Sequence, residues 1–141
     1  MATFSRMEYA LKAAGYALGS AQKVESDWDR FANEIHEQFS QIETQEITEA
    51  KTLLLNNPPR KQVLKNERLV FQNQVVDQNQ RNTQQIIRFV RTVRNNLFHG
   101  GKYIPNGEQE VGRNEALVNA SLLVLKTCLE LNAVVKHHYE N

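Results

Sequence analysis

Arg94 and His99 are the two residues of this sequence whose side chains are best suited to chemistry at a phosphate. They lie five positions apart in the run RNNLFHGGK, residues 94–102. An arginine keeps its charge at any physiological pH, whereas a histidine titrates near neutrality. Such a pair is suited to cleaving a phosphodiester.

The spacing of this pair is common, so only the residues around it can indicate a function. With nine arginines and four histidines, about one Arg-x4–6-His match is expected by chance. Arg30 and His36 also match, but they fall within an amphipathic helical pattern with acidic neighbours, so we interpret them as solvated surface residues. In the run 94–102, two asparagines follow the arginine and a double glycine follows the histidine.

A helix with one apolar face precedes the histidine. Six apolar side chains mark that face: Ile86, Ile87, Phe89, Val90, Val93 and Leu97. Gly100 and Gly101 are expected to end the helix, as glycine does in a left-handed cap. Arg94 and His99 therefore lie near a helix C-terminus, where cationic side chains also serve to cap backbone carbonyls. A catalytic role and a capping role both fit this position.

The remaining apolar periodicity predicts three further helical segments and a last helix. They are expected over Phe4–Leu18, over Val24–Ile42, over Ile47–Leu54 with a stop before Pro58-Pro59, and from Asn114 onward. Residues 56–76 lack a clean period, and no strand-like alternation appears. The sequence therefore predicts an all-α protein, an antiparallel bundle of four or five helices in a single domain spanning residues 1–141.

The composition is that of a soluble globular protein, with 40% hydrophobic and 23% charged residues. Cys128 is the only cysteine and lies in a leucine-rich stretch, so we expect a buried, inert thiol and no internal disulfide. The N-terminus lacks a basic region followed by an apolar core, and no apolar run approaches the roughly 20 residues of a membrane span. We expect a cytoplasmic protein with no membrane partner.

Charge is distributed unevenly along the chain, although the net charge is only +1. Residues 1–50 carry 4 basic and 9 acidic groups, residues 51–104 carry 10 and 2, and residues 105–141 carry 3 and 5. The positive segment contains the Arg94/His99 run. This asymmetry indicates either a surface for a polyanion or a basic segment packed against an acidic one.

The run RNNLFHGGK resembles the HEPN superfamily, whose small helical bundles carry an Arg-x4–6-His signature towards the end of an inner helix. It is most similar to bacterial and plasmid-borne members with an Asn-Asn-Leu-Phe-His-Gly-Gly-Lys sequence. The resemblance implies an endoribonuclease that needs no metal or other cofactor and acts in a toxin–antitoxin, abortive-infection or other defence system. It also allows an inactive member that binds RNA, nucleotide or a protein partner.

The resemblance implies a role for each motif residue. His99 would be the general acid or base and Arg94 would stabilise charge on the phosphate, while Asn95 would position the phosphate or the histidine. Asn96 would contact substrate or satisfy backbone groups at the helix end. On one straight helix Arg94 and His99 diverge by about 140° and about 7.5 Å, so either a distorted helix end or a two-fold dimer with a shared groove would be needed to bring motif residues together. The resemblance implies a homodimer.

Further basic residues surround the motif and are expected to contact RNA. These substrate-binding candidates are Arg88, Arg91, Lys102 and Arg113. A solvated basic helix face is the alternative for the first two. An antitoxin or another component of a defence system is a further expected partner.

Overall fold

The fold combines helices with two small sheets. The computed structural model describes residues 2–99 and 108–141, with side chains for 2–97 and 114–141. Its helices are α1 (Ala2–Ala13), α2 (Trp28–Ser40), α3 (Gln45–Asn56), α4 (Asn82–His99), α5 (Glu108–Glu130) and α6 (Ala133–Glu140). Its strands form two antiparallel hairpins, β1 (Ala17–Gly19) with β2 (Val24–Ser26), and β3 (Lys61–Lys65) with β4 (Arg68–Gln72). The predicted all-α class of four or five helices is therefore wrong.

Side chains from all six helices meet in one hydrophobic core. Helix α2 contributes Trp28, Phe31, Ile35 and Phe39, all of them buried. Helix α4 contributes five of the six predicted apolar residues as buried side chains, and the sixth, Leu97, is partly buried against them. The periodicity of these two helices thus identified their core faces correctly.

The first helix ends earlier than predicted. It stops at Ala13, and Gly15 follows with a φ of +96°, a left-handed conformation that glycine adopts without steric penalty. The amide of Tyr16 donates to the carbonyl of Leu11 at 2.8 Å, which satisfies the helix end. The predicted helical residues Leu18 and Val24 instead lie in the β1–β2 hairpin, which leads into α2.

Local capping defines the ends of α2 and α3. The Asp27 carboxylate accepts a hydrogen bond from the Arg30 amide at 3.1 Å, and the Thr44 hydroxyl accepts from the Ile47 amide at 3.4 Å. Helix α3 ends at Asn56, before Pro58-Pro59, as predicted.

The segment without a clean period contains the β3–β4 hairpin. Strand pairing places Val63 opposite Val70 and Leu64 opposite Leu69. Because these apolar residues are consecutive within each strand, they conceal the alternation that marks a half-buried strand. The two turn residues, Asn66 and Glu67, have φ values of +49° and +63°, which suit the twist of a two-residue hairpin.

The C-terminal region forms two helices where one was predicted. Helix α5 begins at Glu108 rather than at Asn114, and it ends at Glu130. Asn132 then caps α6, because its side-chain oxygen accepts from the amides of Val134 at 3.1 Å and Val135 at 3.0 Å.

Cys128 is wholly buried in α5, and burial raises the pKa of its thiol from 9.0 to about 12. The folded state therefore retains a proton that the unfolded chain loses near pH 9. The resulting stabilisation is complete below about pH 9 and is lost as the pH rises towards about 12.

We expect the free energy of unfolding to fall over this range with a slope approaching about 1.4 kcal/mol per pH unit. Urea unfolding at a series of pH values would measure the slope, and Cys128→Ala should remove this contribution. Burial also raises the pKa of Tyr16 above 10.0, so Tyr16→Phe is needed to identify the part that remains above pH 10. An unchanged slope in Cys128→Ala would contradict the assignment.

Candidate functional site

Helix α4 carries the Arg94 side of the predicted site, since its inward residues fill the core and its outward residues are available to a ligand. Arg91 and Asn95 are exposed, whereas Arg94 is half-buried. Arg91 and Asn95 are four positions apart and therefore share one face of the helix. Their orientation follows from the burial of Val90 and Val93 on the other face.

Arg94 is held by α1 through an ion pair. Its Nε donates to Glu8 Oε1 at 2.7 Å, and the two side chains are only 28% and 22% exposed. Its Nη1 also donates to Asn95 Oδ1 at 3.1 Å. Partial burial strengthens this ion pair relative to one in open solvent. Arg94 and Asn95 are therefore presented together, with the guanidinium anchored to α1.

The Glu8–Arg94 pair lies in a cavity of about 250 Å³ between α1, β2 and α4. Its cationic lining residues are Lys12, Arg91 and Arg94, and its carboxylates are Glu8 and Glu25. Phe4, Trp28 and Val90 supply apolar lining. We call this cavity the Arg94 groove. Its lining of three cations and two carboxylates beside a few apolar side chains suits a polar ligand that carries a negative group.

The two asparagines of the motif point to different places. Asn95 lines the Arg94 groove. Asn96 instead donates from its Nδ2 to the backbone carbonyl of Arg60 at 2.8 Å, which ties α4 to the residue before β3. The described role of Asn96 is thus to hold the base of the β3–β4 hairpin, while Asn95 stays with Arg94.

The basic residues of α4 also divide. Arg91 lines the Arg94 groove, but Arg88 turns towards the segment that precedes the helix. Its Nη2 donates to the Val75 carbonyl and to Gln85 Oε1, each at 2.8 Å. The guanidinium of Arg88 also lies over the Phe89 ring, 4.8 Å from its centre. These contacts make Arg88 a structural residue rather than a member of the groove.

His99 is the last residue of α4, and its side chain lies outside the described residues. Lys102 also lies outside them, as does the side chain of Arg113. Of the eight predicted site residues, the described side chains bring together Arg91, Arg94 and Asn95, and they place Arg88 and Asn96 elsewhere.

The second Arg-x4–6-His match joins neighbouring elements. Nδ1 of His36 is hydrogen-bonded to Thr83 Oγ1 at 2.7 Å, which links α2 to α4, and the ring is half-buried. Arg30 is exposed, donates to the Gly15 carbonyl at 2.7 Å and lies over the Tyr16 ring. This pair is thus structural, and the interpretation of His36 as a solvated residue is wrong.

Glu8 is the principal site residue that sequence reasoning missed. It is separated from Arg94 by 86 positions, and its position on α1 next to the buried Met7 carries no chemical signature. Trp28 and Phe4 are buried core residues that also line the groove.

Comparison with known proteins adds no relative. No family model, curated protein or solved structure matches this chain. Within the described ranges, no single helix has both the length and the apolar character to cross a membrane, although Asn114–Glu130 and Ala133–Glu140, bent by 114°, meet both criteria as a pair.

Proposed function

We propose that this chain is a metal-independent endoribonuclease of the HEPN type, acting as a homodimer in a toxin-like or defence system. The observation that best supports the proposal is the joint presentation of Arg94 and Asn95 at a partly apolar groove, five residues before His99 ends the same helix. An arginine so placed can bind a phosphate while the groove holds the attached nucleoside.

The proposed reaction is attack by a ribose 2′-hydroxyl on the adjacent phosphorus. A bond forms between the 2′-oxygen and phosphorus as the bond from phosphorus to the 5′-oxygen breaks. The hydroxyl proton passes to a base and the departing 5′-oxygen receives a proton, which leaves a 2′,3′-cyclic phosphate and a 5′-hydroxyl. His99 supplies one of these proton transfers, and Arg94 stabilises the charge that develops on the phosphate.

Glu8 has a positioning role in this proposal. The 2.7 Å contact to Nε of Arg94 fixes the plane of the guanidinium, so that the side chain does not have to be ordered when RNA binds. Asn95 completes the support through its 3.1 Å contact to Nη1. Glu8 acts through Arg94 and does not itself touch the reacting atoms.

A second candidate is an inactive HEPN module that binds RNA, nucleotide or a protein partner through the same groove. The Glu8–Arg94 ion pair favours this alternative, because a neighbouring carboxylate reduces the positive potential available to a phosphate. Turnover separates the two candidates, since both predict binding at the groove.

Cleavage of a mixed RNA pool in EDTA, with analysis of the product ends, tests the proposal. Wild-type protein should generate 2′,3′-cyclic phosphate ends, and His99→Ala should lower the rate by about a hundredfold or more. His137→Ala is the matched control, because His137 is an exposed histidine on α6. Wild-type protein that is folded and dimeric could instead bind the RNA pool without producing cyclic ends. That result would contradict the nuclease and support the inactive binding module.

A further inference from the structure

The β3–β4 hairpin concentrates positive charge on a small exposed element. Residues 61–72 contain three basic residues and one acidic residue, a net charge of +2. An isolated two-stranded hairpin is only marginally stable in water, yet this one contacts α4 chiefly through β3. Leu64 and Leu69, near its turn, are 67% and 69% exposed. The hairpin therefore projects from the helical body.

Three cationic side chains share one face of the hairpin. Lys65 lies directly opposite Arg68 in the strand register, and Lys61 lies four positions before Lys65 on the same strand. Opposed residues and residues two or four apart on a strand point to the same side of the sheet. Leu64 and Leu69 consequently occupy the other side.

The opposed Lys65 and Arg68 side chains repel each other, and like charges in this arrangement destabilise a hairpin. Within the described ranges, no carboxylate forms an ion pair with either of them or with Lys61. The face is thus electrostatically complementary to a polyanion, and a bound polyanion would remove the repulsion.

The base of the hairpin is hydrogen-bonded to α4 at Thr92 and Asn96, two positions before and two positions after Arg94 in the sequence. Asn96 Nδ2 donates to the Arg60 carbonyl at 2.8 Å. Gln74 Nε2 donates to the Pro59 carbonyl at 2.8 Å and to Thr92 Oγ1 at 3.1 Å.

Thr92 and Asn96 are four residues apart and share one side of α4, whereas Arg94 lines the groove on another. The exposed Asn95 falls between these two sides. A strand of RNA that crosses α4 at Asn95 would therefore reach both the Arg94 groove and the hairpin.

We propose that the β3–β4 hairpin is an RNA-binding arm, whose Lys61, Lys65 and Arg68 bind the phosphate backbone of RNA engaged at the Arg94 groove. The proposal rests on the proposed function for the identity of the polyanion. It assigns substrate affinity to the hairpin and chemistry to the end of α4.

Binding of a fluorescein-labelled, single-stranded 2′-O-methyl RNA pool, followed by anisotropy, tests the arm without turnover because the nucleophile is blocked. Lys65→Ala/Arg68→Ala should weaken binding about tenfold or more at low salt. It should also reduce the slope of log affinity against log salt by about 1.4, the value for two lost contacts to a single strand. Arg6→Ala/Lys126→Ala is the matched control, with one exposed arginine and one exposed lysine removed elsewhere.

The control should retain the wild-type slope. The proposal fails if Lys65→Ala/Arg68→Ala has the same salt-dependence slope as wild type. It also fails if the hairpin variant and the control variant lose RNA affinity equally. Leu64→Ser/Leu69→Ser should leave RNA affinity unchanged. If that variant instead loses the dimer while Lys65→Ala/Arg68→Ala binds RNA normally, the hairpin is a protein interface and the proposal fails.

The RNA cleavage assay separates failure of the arm from failure of the nuclease. If cyclic ends form but RNA affinity does not depend on the hairpin, the proposed function stands and the hairpin is not an RNA-binding arm. If RNA affinity depends on the hairpin but no cyclic ends form, the hairpin is an RNA-binding arm and the protein is an RNA-binding module without nuclease activity.

Discussion

Arg94→Ala is expected to lower the rate of RNA cleavage by about a thousandfold, because it removes the cation placed to stabilise charge on the phosphate. The same change leaves the Glu8 carboxylate, only 22% exposed, without its 2.7 Å donor. We therefore also expect a loss of about 1–2 kcal/mol in the free energy of unfolding. Cleavage rates and urea unfolding would measure the two effects separately.

Substituting Glu8 together with Arg94 separates the effect of Arg94 on stability from its effect on the cleavage rate. Glu8→Ala/Arg94→Ala has no unpaired carboxylate, so its stability should recover most of what Arg94→Ala loses, and its cleavage rate should not recover. Arg94→Lys keeps the charge but not the forked geometry, and it should cleave at an intermediate rate. If cleavage recovered together with stability in the double variant, Arg94 would be a structural residue only.

Helix positions and core faces could be predicted from the sequence, because periodic burial is a local property. The buried face of α4 and the end of α3 before Pro58-Pro59 are examples. One error occurred where two local signals competed. Apolar spacing continued through Leu18, but Gly15 in a left-handed conformation had already ended α1.

The β3–β4 hairpin was missed for two physical reasons. Val63 and Leu64 are adjacent apolar residues, so β3 shows no alternation, and neither side of this small sheet is fully buried. Its turn is Asn66-Glu67, which lacks the glycine that usually marks a two-residue hairpin. A glutamate in a left-handed conformation is sterically unfavourable, so its presence in the sequence does not predict a turn.

The part of the candidate site that comes from α1 and β2 could not be predicted either. The spacing of Arg94 and His99 drew attention to α4, but Glu8 reaches Arg94 only through the packing of α1. A tertiary contact across 86 positions leaves no pattern in one sequence. Polar residues in the core are equally hidden, because hydropathy predicts that they are exposed.

Gln85 is the clearest of these hidden residues. Its side chain is fully buried at the start of α4, and all its hydrogen-bonding capacity is used. Nε2 donates to the Asp77 carbonyl at 3.0 Å and to Gln80 Oε1 at 3.1 Å. Oε1 accepts from the Asp77 amide at 3.2 Å and from Arg88 Nη2 at 2.8 Å. Gln85 thus fastens the preceding segment to α4.

Gln85→Leu should destabilise the protein by about 3 kcal/mol, since it preserves side-chain size but removes the acceptor of the Asp77 amide and one of the two acceptors of Arg88 Nη2. The loss affects Arg88 most, because its Nε is already buried without a partner among the described residues. Urea unfolding would measure the change. Gln78→Leu, at an exposed glutamine of the same segment, is the control and should alter stability by less than about 0.5 kcal/mol.

The position of Gln85 makes its effect on function informative as well. Its network lies at the N-terminal end of α4, away from the Arg94 groove at the other end. Below the unfolding transition, Gln85→Leu should therefore cleave RNA at close to the wild-type rate while unfolding at lower urea. A stability change within about 0.5 kcal/mol would mean that water replaces the amide and that the buried network contributes little.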